Sequence, residues 1–268
     1  MHVFSRSLAF LAPWLLLAAA SNVSGIIEVD LVFPRNDTYA PFPLLPVVFG
    51  FRNTELLKFI YARVKFYGRP YDNDNITADG ISATWNLLGT NYSANDPYFE
   101  YYAYPRIFNT EGIWEIAWEL VWNTCTAESL SRDDGAHFYT NYLSGSVVFT
   151  TKNSSQEIDF AASTNNKTCS KSVGAAVNIT DTLEVPSGSE WFGGDTCAIA
   201  GFLPTPSPCE ITIDDATASS MSSSITSAAC VFPTPPISCP SDDQSGAPRL
   251  AVGGMACLAA AFGGLGYI

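Results

Sequence analysis

The histidines are the first residues to consider, because histidine can serve as a general base or as a metal ligand. The chain has two, and His2 lies in a predicted leader, which leaves His137. One histidine cannot build a multi-histidine metal site. No G-x-S-x-G motif is present to supply a serine nucleophile beside it. We therefore interpret His137 as an ordinary loop residue and expect no catalytic residue set, no metal and no other cofactor.

Two glutamates on one predicted strand are the next candidates, since glycoside hydrolysis needs a pair of carboxyl groups. Glu115 and Glu119 share the polar face of segment 114–122. Four residues of extended chain separate their Cα atoms by about 13 Å. That distance exceeds the roughly 6.5–9.5 Å found between the carboxyl groups of inverting enzymes. Both side chains are predicted to face solvent.

The densest aromatic stretch, residues 97–105, is a candidate for carbohydrate contact, because flat rings can stack on sugars. The alternative is that alternate rings fill a β-sandwich core and the others cover its edge, since strands are rich in aromatic residues. The sequence favours core packing and keeps carbohydrate contact as the second interpretation. The candidate contact residues are Tyr98, Tyr101, Tyr102 and Tyr104.

Composition and charge describe a folded, acidic protein. The 268 residues carry a net charge of −13, and 47% of them are hydrophobic. Such a hydrophobic content is typical of a globular chain and not of a disordered one. Binding to nucleic acid requires a basic surface, so we expect no nucleic-acid partner.

The N-terminal 20 residues are typical of a secretory signal peptide. Arg6 precedes an uncharged apolar run that ends at Ala20, where small residues form a cleavage site. A second cleavage site follows Gly25. We expect residues 1–20 to be removed, with cleavage as late as residue 25.

The C-terminal residues resemble a glycosylphosphatidylinositol (GPI) attachment signal. Residues 250–268 contain no charge, and three small residues, 245–247, precede them. Small residues followed by an apolar terminal tail are the expected pattern. We predict a stalk and attachment region at 241–249, with lipid attachment at Ser245 or, with a longer spacer, at Ser241. A C-terminal transmembrane helix is the competing interpretation, which the glycine-rich tail disfavours.

The cysteines and glycosylation sequons agree with an extracellular location. Cys257 lies in the tail, and the remaining even number of cysteines predicts three disulfides in an oxidising compartment, with the pairing left open. Six N-x-S/T sequons are also present. The cysteines are Cys125, Cys169, Cys197, Cys209, Cys230 and Cys239, and the predicted N-glycosylation sites are Asn36, Asn75, Asn91, Asn153, Asn166 and Asn178.

The body of the chain has the alternation of half-buried strands. Segment 114–122 places three tryptophans on one face, and segment 59–67 places four apolar residues on one face. Turn clusters rich in Gly, Pro, Asn and Asp separate these from further strand candidates. We predict an all-β fold, an antiparallel, immunoglobulin-like β-sandwich over residues 26–203. The further candidates are 44–51, 80–88, 146–152, 157–160 and 175–185.

Residues 204–240 differ in composition, being rich in Ser, Thr and Pro. Three cysteines in this segment favour a disulfide-stapled appendage packed on the sandwich, over an O-glycosylated stalk. Asp214 and Asp215 are suited to cap a short helix over 216–229. Its predicted inward residues are Met221, Ile225 and Ala228.

Two stretches resemble a fungal family. Residues 27–41, IEVDLVFPRNDTYAP, resemble the start, and residues 209–240, which end in Ser238-Cys239-Pro240, resemble the end, of a domain of unknown function in ascomycete proteins. The resemblance covers nearly the whole mature chain. It implies a secreted, often GPI-anchored surface protein and assigns no catalytic residues.

The sequence therefore favours a non-enzymatic glycoprotein displayed through a GPI anchor on the plasma membrane or transferred to the cell wall. The membrane is its expected partner through the lipid. The alternative is a secreted carbohydrate-binding or carbohydrate-active, glycoside hydrolase-like protein whose partner is cell-wall polysaccharide.

Overall fold

The computed structural model describes residues 23–71, 80–88, 96–105, 107–155, 158–165, 173–191 and 193–240. Ten strands and four short helices lie within these ranges. The strands are β1 Gly25–Phe33, β2 Thr38–Tyr39, β3 Pro46–Arg52, β4 Arg63–Pro70, β5 Ile81–Asn86, β6 Tyr98–Ala103, β7 Gly112–Thr124, β8 Tyr139–Thr151, β9 Gly174–Glu184 and β10 Thr196–Ala200. The helices are a 3₁₀ helix at Thr54–Phe59, α1 Ala127–Leu130, α2 Phe160–Thr164 and α3 Asp215–Cys230.

The strands form two five-stranded sheets. Sheet A has the order β10-β9-β1-β3-β6, and sheet B has the order β2-β8-β7-β4-β5. Neighbouring strands run antiparallel except for the short β2, which pairs with β8 in parallel. The two sheets pack together, which confirms the predicted β-sandwich.

The core lies between the sheets and follows the period-two pattern. On β7, Trp114, Ile116, Trp118, Leu120 and Trp122 are buried, as the alternation predicts. Phe49 of β3 meets the Trp118 ring edge to face, with ring centroids 5.7 Å apart. Aromatic contacts of this kind join the sheets along much of their length.

Two predicted strands differ in the structure. The strand expected from residue 59 begins at Arg63, because residues Thr54–Phe59 form a 3₁₀ helix that buries Leu56 and Leu57. The prediction that a strand continues to Phe160 is wrong, because Phe160 is the first residue of α2. The carboxylate of Asp159 accepts a hydrogen bond from the backbone N–H of Ala162 at 2.9 Å and thereby caps this helix.

Helix α3 forms where the cap pattern predicts it. The side chain of Asp214 accepts a hydrogen bond from the backbone N–H of Thr217 at 2.7 Å. Met221 and Ile225 are buried as expected, but the third buried residue is Ala229 and not Ala228. Spacing by four residues keeps the three side chains on one stripe.

The segment leading into α3 lies on the outer face of sheet A. Ile211 and Ile213 are fully buried in the main core cluster. A Cβ atom added at Gly50 of β3 would lie 2.6 Å from Ile211 Cγ2. The absence of a side chain at Gly50 therefore lets this C-terminal segment pack closely against the sheet.

An arginine fixes the same segment by charge. Arg52 Nη1 lies 3.2 Å from Glu28 Oε2 on β1 and 2.8 Å from Glu210 Oε2, and Arg52 Nη2 donates to the Glu210 carbonyl. One guanidinium group thus joins two strands of sheet A to the C-terminal segment.

None of the helices within the described ranges is long and apolar enough to cross a membrane.

The Gly50–Ile211 contact predicts a coupled loss of stability. Gly50→Ala brings a methyl group against Ile211 and should lower the free energy of unfolding by about 1–3 kcal/mol. Ile211→Ala alone opens a cavity and should cost about 2–5 kcal/mol. In the double variant the added methyl occupies space that Ile211 has vacated, so the combined loss should be smaller than the sum. Urea unfolding of the four proteins measures this, and simple additivity would contradict the packing described.

Candidate functional site

The two strand glutamates lie on the outer face of β7, as their alternation predicts. Glu115 pairs with Arg69 directly opposite on β4, with Nη2 and Nε of the arginine 2.7 and 3.0 Å from Oε2. Glu119 pairs with Lys65, also directly opposite, at 3.6 Å. Each acid is thus held by a cross-strand cation, an arrangement that supports the sheet and does not supply an acid–base pair.

His137 lies on an exposed loop after α1. Its Nε2 is 3.2 Å from Asp134 Oδ1. Arg132 binds the same carboxylate through Nε and Nη2 at 2.9 and 3.0 Å, and this lowers the pKa of Asp134. The backbone N–H of His137 donates to the Ser129 carbonyl. These contacts order a surface loop and place no nucleophile beside the imidazole.

The four candidate tyrosines do not form one surface. Alternation along β6 directs Tyr98 and Tyr102 to the side facing sheet B and Tyr101 to the opposite side. Tyr101 packs beneath α3 with Ile225 and Leu44. Tyr104, just beyond the strand, lies beside Tyr102 with ring centroids 4.5 Å apart. The structure therefore brings Tyr102 and Tyr104 together and separates them from Tyr101.

An acid lies among these rings at the edge where β5 and β6 approach each other. The Tyr98 hydroxyl donates to Glu100 Oε2 at 2.6 Å, and burial raises the pKa of Glu100. Burial also raises the pKa of Tyr104 to about 12, and its hydroxyl donates to the Ser82 carbonyl of β5 at 3.2 Å. Glu100 is a half-buried carboxyl group, and the hydroxyl of Tyr98 fixes its position.

The remaining rings of this edge belong to the core. Trp85 of β5 lies 4.9 Å from the Phe66 ring and 5.6 Å from the Phe49 ring, measured between centroids. Phe51 contacts Tyr98 at 6.1 Å. Within this group Tyr102 keeps 45% of its surface exposed. Within the aromatic stretch, Tyr98 and Tyr104 therefore pack against the core between the sheets, as the favoured interpretation of the sequence expects, whereas Phe99 and Tyr101 lie on the outer side of sheet A.

A buried polar centre was missed by the sequence analysis. Asp30, on the outer face of β1, is only 2% exposed, and Arg35 is also buried. Burial raises the pKa of Asp30 to about 7, an effect that Arg35 and a hydrogen bond from the backbone N–H of Cys209 oppose. A Cβ at Gly174 would meet Asp30 Oδ1 at 2.6 Å, so the glycine makes room for the carboxyl group. In the sequence, the signal for this centre was the pair Glu28 and Asp30 at alternate positions of a strand. Acidic residues in such a pattern normally indicate a strand face that is exposed to solvent.

The cysteines form disulfide bonds, as the sequence predicts. Cys125 after β7 and Cys197 of β10 join sheet B to sheet A, and Cys230 and Cys239 close a loop after α3. Cys209 is also disulfide-bonded. Cys169 lies outside the described residues.

Three of the six sequon asparagines fall within the described ranges. Asn36 and Asn153 are exposed, whereas Asn178 on β9 is half-buried. Asn75, Asn91 and Asn166 lie outside the described residues, as do Ser245, the leader and the apolar tail. Across the described ranges, no group of three or more His, Cys, Asp or Glu side chains could hold a metal ion.

The buried acid predicts a pH-dependent stability. Between the ordinary pKa of Asp30, 3.8, and its folded value of about 7, the folded state keeps a proton that the unfolded state releases. The free energy of unfolding should therefore fall as pH rises through this window, by up to about 1.4 kcal/mol per pH unit from this group, and level off above it. Asp30→Asn lacks this slope, so it should gain stability relative to the wild type from pH 4 to pH 7.

Urea unfolding at four pH values across this window measures the effect. Asp37→Asn, which removes an exposed acid from the loop that follows β1, controls for the change in net charge. Parallel pH profiles for Asp30→Asn and the wild type would contradict the assignment.

The chain was compared with known proteins. A family model described as a domain of unknown function, DUF7136, matches residues 22–239. No curated protein and no solved structure is similar enough to count as a match. The family match spans both sheets and the C-terminal segment through Cys239, and the protein therefore belongs to the DUF7136 family.

Proposed function

We propose that this protein is a non-enzymatic glycoprotein of the fungal cell surface, held on the plasma membrane by a GPI anchor or transferred to the cell wall. The observation that carries the proposal is the disulfide framework. Disulfides persist in oxidising compartments and are rare in the cytosol, and Cys125, just after β7, is bonded across the sandwich to Cys197 of β10. The predicted secretory leader directs the chain into the secretory pathway, and the apolar C-terminal tail is the signal for attachment of the GPI anchor.

The non-enzymatic part of the proposal is supported by the state of the candidate catalytic groups. Glu115 and Glu119 are each paired with a cation on β4. His137 lies on an exposed loop with Asp134 as its charged partner. Hydrolysis of a glycosidic bond would need two carboxyl groups placed about 5–10 Å apart across a substrate.

The glycoprotein part of the proposal is supported by two sequon asparagines. Asn36 and Asn153 are exposed and are therefore suited to carry glycans.

The anchor predicts release by a lipid-specific enzyme. Membranes from cells expressing the full chain should lose the protein to the supernatant when treated with a phosphatidylinositol-specific phospholipase C. The matched control ends after Pro248, lacks the tail at 250–268, and should appear in the medium without treatment. The measurement is immunoblotting of both fractions. Retention in the membrane fraction, with a known GPI-anchored protein released in parallel, would favour a transmembrane helix instead.

Carbohydrate binding is a second candidate function, favoured by aromatic rings that remain exposed on the sandwich. Tyr67 of β4 and Tyr142 of β8 are 54% and 70% exposed on strands of one sheet. Exposed aromatic rings on a flat face are suited to stack on sugars, because each ring presents an apolar surface with a polar group at its end. An array of fungal wall polysaccharides probed with the full chain tests this function, and no binding to any of them would reject it.

A further inference from the structure

The two sheets differ in what covers their outer faces. On sheet A, the outward side chains Asp30, Val32 and Val48 are buried beneath the C-terminal segment and α2. On sheet B, the outward side chains of β4, β5, β7 and β8 are half-buried or exposed, except Val121, which is 5% exposed. We call these outward side chains of β4, β5, β7 and β8 the open face; they include Arg63, Lys65, Tyr67, Arg69, Ser82, Thr84, Asn86, Glu115, Ala117, Glu119, Val121, Tyr142, Ser144 and Ser146.

The centre of the open face is a row along β4. Alternate residues of a strand point to the same side, so Arg63, Lys65, Tyr67 and Arg69 follow one another at intervals of about 6.7 Å. Strand β4 pairs with β7 over its whole length and with β5 from Arg63 to Gly68. The row therefore lies on a strand whose backbone hydrogen bonds are already made.

The open face carries three basic and two acidic side chains, and four of these five charges cancel in pairs, which leaves the charge of Arg63. Arg69 binds Glu115 and Lys65 binds Glu119, each across the β4–β7 ladder. Tyr67 stands between the two pairs. The face consequently offers many hydrogen-bond donors and acceptors with little net charge, which suits a neutral, hydroxyl-rich ligand better than a polyanion or a polycation.

The neighbours of Tyr67 leave its ring accessible. The residues directly opposite it are Ala117 on β7 and Ser82 on β5, both small. Together with Gly80 and Arg69 they line a shallow depression of about 420 Å³ beside the ring. The small side chains of Ala117 and Ser82 leave both sides of the Tyr67 ring accessible, and the ring is 54% exposed.

A second exposed ring extends the surface across the sheet. Tyr142 on β8 lies opposite Val121, which in turn lies opposite Arg63 on β4. Two strand spacings and four residues separate Tyr142 from Tyr67, a distance of about 16 Å between Cα atoms. The polar side chains of Lys65, Glu119 and Ser144 lie between them. A saccharide that contacts both rings must therefore be several sugar units long.

We infer that the open face binds an extended, neutral polysaccharide chain, with the rings of Tyr67 and Tyr142 as stacking platforms and the paired Arg, Lys and Glu side chains as hydroxyl partners. The inference rests on the carbohydrate-binding candidate function and gives that function its site. An extended peptide is disfavoured because strand addition requires a free sheet edge, and the row lies on a central strand.

The test measures binding of neutral hexasaccharides of β-1,3-glucan, β-1,4-glucan, chitin and mannan to the full chain from a secreting eukaryotic host. Loss of a central aromatic anchor typically weakens binding about tenfold or more. Tyr67→Ala and Tyr142→Ala should each weaken binding of the hexasaccharide that binds by at least this factor, and Tyr67→Phe, which keeps the ring, should bind as the wild type does. Tyr102→Ala, which removes a comparably exposed ring from sheet A, is the matched control and should leave affinity unchanged. Thermal unfolding of each variant confirms that the fold is intact.

The outcomes separate this inference from the function on which it rests. If the Tyr67→Ala, Tyr142→Ala double variant still binds the saccharide, the inference is overturned but carbohydrate binding as a function is kept. If binding is lost instead in Tyr102→Ala, the site lies at the edge of sheet A. Binding to polygalacturonate in preference to every neutral hexasaccharide also overturns the inference, because it requires a net positive surface. No binding to any saccharide overturns both the inference and the candidate function.

Discussion

Burial of sheet A on both faces depends on one contact region, where Ile211 lies against Gly50 and Arg52 joins Glu28 to Glu210. Strands β1 and β3 carry apolar side chains toward sheet B and also toward the outside. Their outward side chains would meet water if the C-terminal segment left the sheet, so the segment is part of the core and not an addition to it. The residue types agree with this, because a small residue is required at Gly50 and an apolar one at Ile211.

The same region buries the carboxyl group of Asp30, and its surroundings show how the cost of this burial is limited. A carboxyl group beneath packed chain loses hydration, which favours its protonated form. Asp30 retains a backbone N–H donor from Cys209 and the field of Arg35, both of which oppose that effect. Cys209 has φ of 75°, a conformation that is uncommon for a residue other than glycine. Because Cys209 is also disulfide-bonded, the chain is fixed covalently at the point where its backbone faces the buried acid.

How far the sequence predicts this fold depends on how differently the two faces of each strand are buried. β7 has one apolar and one charged face, so its alternation identified both the strand and the outward position of Glu115 and Glu119. β1 and β6 lack this contrast, since β1 is buried on both faces and β6 has aromatic residues on both, and neither was predicted as a strand. Tyr67 and Tyr142 were missed as possible contact residues for a related reason. Their exposure is set by Ala117, Ser82 and Val121 on neighbouring strands, and cross-strand register cannot be read from one strand alone.

The unequal covering of the two sheets also favours sheet B as the place for the polysaccharide binding that we propose. A side chain on a central strand has a backbone fixed on both sides, and the ion pairs of Arg69 and Lys65 restrict the side chains around Tyr67 as well. These pairs lie near the surface and contribute little to the free energy of folding, but they reduce the freedom that the face would lose when a ligand binds. The ordering of side chains is one of the costs of binding, at about 0.5–1.5 kcal/mol for each side chain that is immobilised. A polysaccharide lying across the open face would contact side chains that already have the positions needed for binding. A small number of stacking contacts and hydrogen bonds to its hydroxyl groups would then be sufficient to hold it.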